Sequence, residues 1–208
     1  MKFTTLVAAA LFACSIGVTA KTEVPTSSDT CADPSLVVPF VQGFNTVQDA
    51  YALASVAGYT AGITRSPTSG WIYQGEAFLG WPTPQNFTFP FYRFFNPTTT
   101  DYISTTSTDG SAPSIPGFTL QGTLGYAYTS SVCSSVPLLG AFNQAAGSHY
   151  YTTDPNVHTD LLSQGGWTNV NSGVFVLPLS FVWYVNFIKF TFNAKWIPSC
   201  LEYAYHLH

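Results

Sequence analysis

Between residues 38 and 178 apolar side chains come in short, aromatic-rich runs broken by Gly, Pro, Asn, Ser and Thr. That pattern predicts strands and tight turns rather than amphipathic helices. Residues 90–106, PFYRFFNPTTTDYISTT, are the clearest run. Phe91 to Phe95 has the density of a strand, Asn96-Pro97 opens a turn, and Tyr102 to Thr106 returns as the second arm of a hairpin.

This hairpin pattern has two imperfect echoes. Upstream, Pro39, Phe40, Phe44, Asn45, Asp49 and Tyr51 align with Pro90, Phe91, Phe95, Asn96, Asp101 and Ile103; downstream, residues 137–153 (PLLGAFNQAAGSHYYTT) match better. The Asn-to-Asn spacings are 51 and 47 residues. A second block, beginning at Trp71, Phe118 and Trp167 and spaced by glycines, closes each copy. Recurrence at a fixed period means packed units, because one hairpin cannot bury its own apolar face. The fold expected is all-β: three pseudo-repeats of three or four short strands, over about residues 38–80, 89–128 and 136–178, in a trefoil-like closed arrangement, with a propeller-like one as the alternative.

One short helix is expected near 155–164. Asp154 is placed as N-cap, Pro155 as first helical residue, Val157, Leu161 and Leu162 form a stripe, and Gly165 stops it. The corresponding segment 107–116 carries Pro113 and Pro116 and reads as a loop.

The pattern P-L-Y-R-x-x-N-P, then D-H-F-Y-T-T, G-W and G-x-x-G-Y, resembles a family of secreted repeats known as domain of unknown function 5648. The resemblance runs from about 38 to 178 and is strongest in the middle copy. The third copy has Ser148 in place of the Asp and Leu139-Gly140 in place of Tyr-Arg, and the first is the most eroded. The resemblance implies an extracellular setting and no particular activity.

The flanks read differently. Lys2, the apolar run 6–17 and Val18-Thr19-Ala20 form a signal peptide over 1–20. That run is shorter than the roughly 20 residues of a membrane span. Residues 21–37 are a polar leader, and 38–178 the β-domain. The tail 179–208 brings Lys189 and Lys195 and no fourth hairpin; it is read as translated non-coding sequence at the end of a gene model, with a packed strand and a tail anchor as the other two readings.

Composition sharpens this picture. Aromatics make up 16% of the chain and charged residues 8%; no Lys and only Arg65 and Arg93 occur between 22 and 178. A nucleic-acid surface needs a basic footprint, so that partner is excluded, and a membrane partner is not expected. Cys14 leaves with the signal peptide, Cys31 and Cys133 each precede a copy and are the candidate disulfide pair, and Cys200 is left over. Asn86-Phe87-Thr88 is a glycosylation sequon between copies one and two.

Candidate chemistry favours binding over catalysis. The acids of the β-domain are Asp49, Glu76, Asp101, Asp109, Asp154 and Asp160, with no spacing that pairs two on one glycosidic bond. Asp101 reads as a turn residue bonded to local backbone, in the slot of Asp49 and Ser148, and as a cross-hairpin partner for Arg93. No nucleophile elbow and no zinc signature is present, so no catalytic residue, metal or cofactor is assigned. Sugars are held by aromatic faces and polar side chains. The candidate ligand-binding residues are therefore Tyr92, Arg93, Asn96, Asp101 and Tyr102 in copy two, with Asn143, His149, Tyr150 and Tyr151 in copy three. The expected function is a secreted, non-catalytic module that binds glycans, cell-wall polymer or another extracellular surface. A secreted hydrolase of cell-wall polysaccharide is the first alternative and a structural or interaction protein the second.

Overall fold

The computed structural model describes residues 31–181. The expected signal peptide, Cys14, Cys200 and residues 182–208 of the tail lie outside the described residues.

Among the described residues nine strands form three antiparallel sheets of three. The first holds β1 (Val38–Asn45), β2 (Ala50–Ser55) and β3 (Trp71–Gly80); the second β4 (Phe89–Asn96), β5 (Asp101–Thr106) and β6 (Thr119–Ala127); the third β7 (Val136–Asn143), β8 (Ser148–Thr152) and β9 (Trp167–Val176). In each the first strand is central, giving orders β2-β1-β3, β5-β4-β6 and β8-β7-β9.

The hairpin turns share one device. Asn45 Oδ1 accepts the N–H groups of Val47 and Gln48, Asn96 Oδ1 those of Thr98 and Thr99, and Asn143 Oδ1 those of Ala145 and Ala146. An Asn side chain that bonds backbone two and three residues on holds such a turn shut. The residue four beyond each Asn takes a positive φ: 53° at Asp49, 58° at Thr100 and 66° at Gly147. Cross-strand partners follow as Asn45 with Ala50, Asn96 with Asp101 and Asn143 with Ser148. The register thus corrects the alignment of Asp49 with Asp101: Asp49 corresponds to Thr100, and Ala50 to Asp101. Matching like residues slipped the first copy by one position.

Three pairs of backbone bonds join the sheets cyclically. Trp81 pairs with Tyr126, Tyr128 with Phe175, and Leu177 with Leu79, each through reciprocal N–H to O=C bonds of 2.8–3.2 Å. Trp81, Tyr128 and Leu177 hold equivalent places, and each bonds the residue two before its counterpart in the next sheet. This is a pseudo-threefold ring.

Inside it lie Phe40, Phe91 and Leu138 from equivalent positions of the central strands, with Leu53, Tyr151, Phe78, Val174 and Val176 around them. Residue sizes compensate across the ring. Where Phe78 and Val174 are large, the second sheet has Gly125, and a Cβ there would come within 2.5 Å of Phe40 and 2.6 Å of the Trp81 carbonyl. Trp81, Tyr128 and Leu177 form a second cluster, closed off by the leader: Cys31 is disulfide-bonded to Cys133, the Ala32 N–H donates to Tyr128 Oη at 2.9 Å, and Trp81 Nε1 donates to the Asp33 carbonyl at 2.7 Å. A cross-link between residues 102 apart in sequence stabilises by about 4–5 kcal/mol in the chain-entropy account.

Helix α2 (Pro155–Ser163) forms as its capping residues predict, with the Asp154 side chain accepting the Asn156 N–H and Gly165 at φ 73° just beyond it. Residues 107–116 carry no helix, as expected. A second helix, α1 (Val56–Arg65), was not expected. Gly58, Gly62 and the β-branched Val56, Thr60, Ile63 and Thr64 give that segment low intrinsic propensity. The Ser55 side chain caps it by accepting the Gly58 N–H, and tertiary packing of Tyr59 does the rest.

Candidate ligand cleft

Helix α1 stands off the first sheet and buries no residue completely. Its anchor is Tyr59, which covers Gly43 of β1 so closely that a Cβ there would lie 2.6 Å from the ring; the same ring packs on Tyr73 at 5.8 Å. A bare glycine on the central strand therefore sets where the helix sits. Clefts open on both of its flanks. One, of about 340 Å³, runs between α1 and β3 and is lined by Val41, Tyr73 and Glu76 with the helix residues Val56, Tyr59 and Ile63.

The other, of about 200 Å³, lies at the junction of the first and second sheets. Ala52 and Ala54 of β2 form its floor, Gly58, Tyr59, Gly62 and Ile63 of α1 one wall, and Trp71, Arg93, Tyr102 and Gln121 the other. Trp71 meets Tyr102 edge to face at 5.7 Å, and Phe95 backs Tyr102 at 4.7 Å. The same cluster recurs at the junction of the third and first sheets, where Tyr51 stands for Tyr102 and Trp167 for Trp71. There, however, Tyr150 is wedged in, 5.1 Å from Tyr51 and 6.4 Å from Trp167. Tyr150 faces Ala141 in the register where Ala52 faces Gly43. The cleft exists because an alanine occupies the place of a tyrosine.

Arg93 is the polar feature of this cleft. Its Nη1 donates to the Leu53 carbonyl at 3.3 Å, its guanidinium lies 6.0 Å from the centre of the Tyr102 ring, and its buried Nε has no partner. Desolvation pushes the guanidinium below its ordinary pKa, with Tyr102 acting the other way. Burial raises the Tyr102 phenol, opposed by Arg93 and by the hydrogen bond to Gln48. The expected pairing of Arg93 with Asp101 is not made.

Asp101 is engaged elsewhere. It is 2% exposed, its Oδ1 accepts the His149 N–H at 2.9 Å, and its Oδ2 lies 2.6 Å from His149 Nδ1. Among the described residues this is the one contact of a carboxylate with a basic side chain within salt-bridge distance. The expectation of a local backbone bond is thus corrected: the carboxylate is aimed across the ring at the third sheet, away from Arg93.

The other candidate residues divide by burial. Tyr151 is enclosed, accepts the Ser104 N–H at 3.1 Å and has its phenol pKa driven up, chiefly by burial. Tyr92 is buried and donates to the Gly110 carbonyl. Asn96 and Asn143 are committed to their turns. Tyr150 is half-buried in the filled aromatic cluster. Of the nine candidates, Arg93 and Tyr102 reach the cleft, where Tyr59, Trp71 and Gln121, outside the candidate set, join them.

Comparison with known proteins places the chain in a family. The family model described as "Domain of unknown function (DUF5648)" matches residues 58–177, more than half of the sequence, and the chain belongs to that family. No curated protein and no solved structure matches it. No helix among the described residues is long and apolar enough to cross a membrane.

Proposed function

We propose that this chain is an exported, non-catalytic module that binds carbohydrate, and that the Trp71–Tyr102–Arg93 cleft is its binding site. The observation that carries the reading is an aromatic-walled recess with a few polar groups, produced by Ala52 where the matching junction has Tyr150. Aromatic faces pack against the apolar side of a sugar ring, while Arg93 and Gln121 supply hydrogen bonds to its substituents. Export is supported by the amino-terminal signal pattern and by a disulfide, which persists in oxidising compartments. Asn86 is exposed, as attachment of a glycan in that setting requires.

The hydrolase alternative is weakened by the fate of the acids. Asp101 is consumed by His149, and among the described residues Glu76 is the single carboxylate lining either cleft beside α1. Hydrolysis of a glycosidic bond ordinarily needs two carboxyl groups flanking that bond.

The test is a glycan and cell-wall polymer array probed with the secreted chain and with its Ala52→Tyr and Trp71→Ala variants. Binding by the parent that both variants lose supports the reading. Absence of binding to every glycan, or binding that Ala52→Tyr leaves untouched, removes it.

A further inference from the structure

Arg93 is a cation with unmet needs. Among the described residues it has no carboxylate within salt-bridge distance, its hydrogen bond to the Leu53 carbonyl is long, and its buried Nε has no partner. Tyr102 compensates in part, at the outer limit of cation–π range. Arg93 is half-buried, and enclosing part of a guanidinium without an anion beside it is costly.

The fold does not demand a cation at this position. Arg93 faces Ser104 and Gly122 in register; Gln42 faces Leu53 and Gly75 in the first sheet, and Gly140 faces Tyr151 and Val170 in the third. A neutral amide and a bare glycine thus serve the same structural place. The charge belongs to this junction, which is also the one with the cleft.

The space beside it is shaped for something small. Gly58 and Gly62 leave one strip of the helix wall without side chains, and a Cβ on Gly62 would meet nothing within 4 Å. A volume of about 200 Å³ falls below the roughly 300–1,000 Å³ of drug-sized ligand pockets. It suits one sugar unit rather than a length of polymer.

Resting on the carbohydrate reading above, we infer that the cleft selects an acidic sugar, a uronic acid residue whose carboxylate meets the Arg93 guanidinium while its ring packs against Trp71 and Tyr102. A planar guanidinium matches a carboxylate in geometry as well as charge. A densely sulfated polymer would call for a cluster of cations, whereas the β-domain holds only two arginines and no lysine.

The experiment titrates the secreted chain, followed by Trp fluorescence and calorimetry, with galacturonic, glucuronic and mannuronic acid oligosaccharides. Each is compared with its methyl ester, its neutral parent sugar and a sulfated counterpart. The acids should bind at least about tenfold more tightly than their esters, as expected of a hydrogen bond to a charged group. Arg93→Gln should reduce that preference to about twofold or less, Arg93→Lys should retain part of it, and Trp71→Ala should weaken acid and ester alike. Thermal melts of each variant report whether it is folded, and the Lys variant provides the comparison if Arg93→Gln is not. Equal binding of acids and esters that still depends on Trp71 would overturn this inference and leave the carbohydrate reading standing. So would a preference confined to the sulfated sugars. Failure of every sugar, neutral ones included, removes both.

Discussion

Two junctions of the ring begin from the same aromatic plan and finish differently. Where the third sheet meets the first, Tyr150 fills the space between Tyr51 and Trp167; where the first meets the second, Ala52 and Ala54 leave the space beside Tyr102 and Trp71 open. Backbone pairing is equivalent in the two places, so the scaffold is indifferent to the choice. A cleft can therefore arise in this architecture by truncating side chains at one junction while its counterpart carries the packing. The remaining junction, between the second and third sheets, is sealed by a buried polar pair instead, Asp101 with His149.

The sharpest way to break this comparison is at the sealed junction. Asp101→Ala removes one partner of a buried pair and two hydrogen bonds, and should cost about 3–5 kcal/mol in denaturant unfolding. Asp101→Asn should cost less, because it retains a side-chain acceptor for the His149 N–H. A loss below about 1 kcal/mol for the Ala variant would mean that the pair is not what seals this junction.

Next is Tyr150→Ala, which recreates at the filled junction the truncation that the open one already has. Loss of a half-buried aromatic should lower stability by about 2 kcal/mol, below the range for fully buried rings. A second, uncharged cleft should then bind neutral sugars weakly, as calorimetry of the double variant Tyr150→Ala, Trp71→Ala can show.

Alkali separates the enclosed Tyr151 from the half-buried tyrosines that the two junctions share. Tyr151 and, to a smaller extent, Tyr150 and Tyr102 have phenol pKa values raised mainly by desolvation. In the unfolded chain these phenols lose their protons near pH 10. Above that pH the unfolded state binds fewer protons than the native one, so stability falls as pH rises, by up to about 1.4 kcal/mol per pH unit for each enclosed tyrosine. Below pH 10 this contribution is fully present. Tyrosinate absorbance should develop in two stages, the exposed phenols first and Tyr151 only with unfolding.

The smallest expected effect on stability is the most informative about function. Ala52→Tyr transplants the filling residue into the open junction and should change stability by no more than about 1–2 kcal/mol, since it adds contacts at the risk of overpacking. It should nevertheless abolish ligand binding in the array.

The hairpins were legible because their instructions are local: an Asn that folds its side chain onto the next backbone N–H groups, with aromatic runs on either side. Helix α2 was legible for the same reason, through Asp154, Pro155 and Gly165. Helix α1 was hidden because its sequence is poor helix material and its place is set by Gly43, more than ten residues earlier on another element. The partner of Asp101 was equally out of reach, 48 residues away on a different sheet. The cleft draws Ala52, Tyr59, Trp71, Arg93 and Tyr102 from five separate elements, and no window of sequence holds them together. Arg93 and Tyr102 were found by their chemistry alone; Trp71 belonged to a block whose role looked purely structural.

The bond pair between Leu79 and Leu177 has a consequence for biosynthesis. During translation the edge of the first sheet has to wait for almost a hundred further residues before its last partner emerges. Until then it presents unsatisfied strand edge and aromatic surface, the kind that invites wrong association. Early formation of the Cys31–Cys133 cross-link would hold the amino-terminal lid in place over that interval, so an oxidising folding environment should raise the yield of native protein even where the finished molecule could survive reduction.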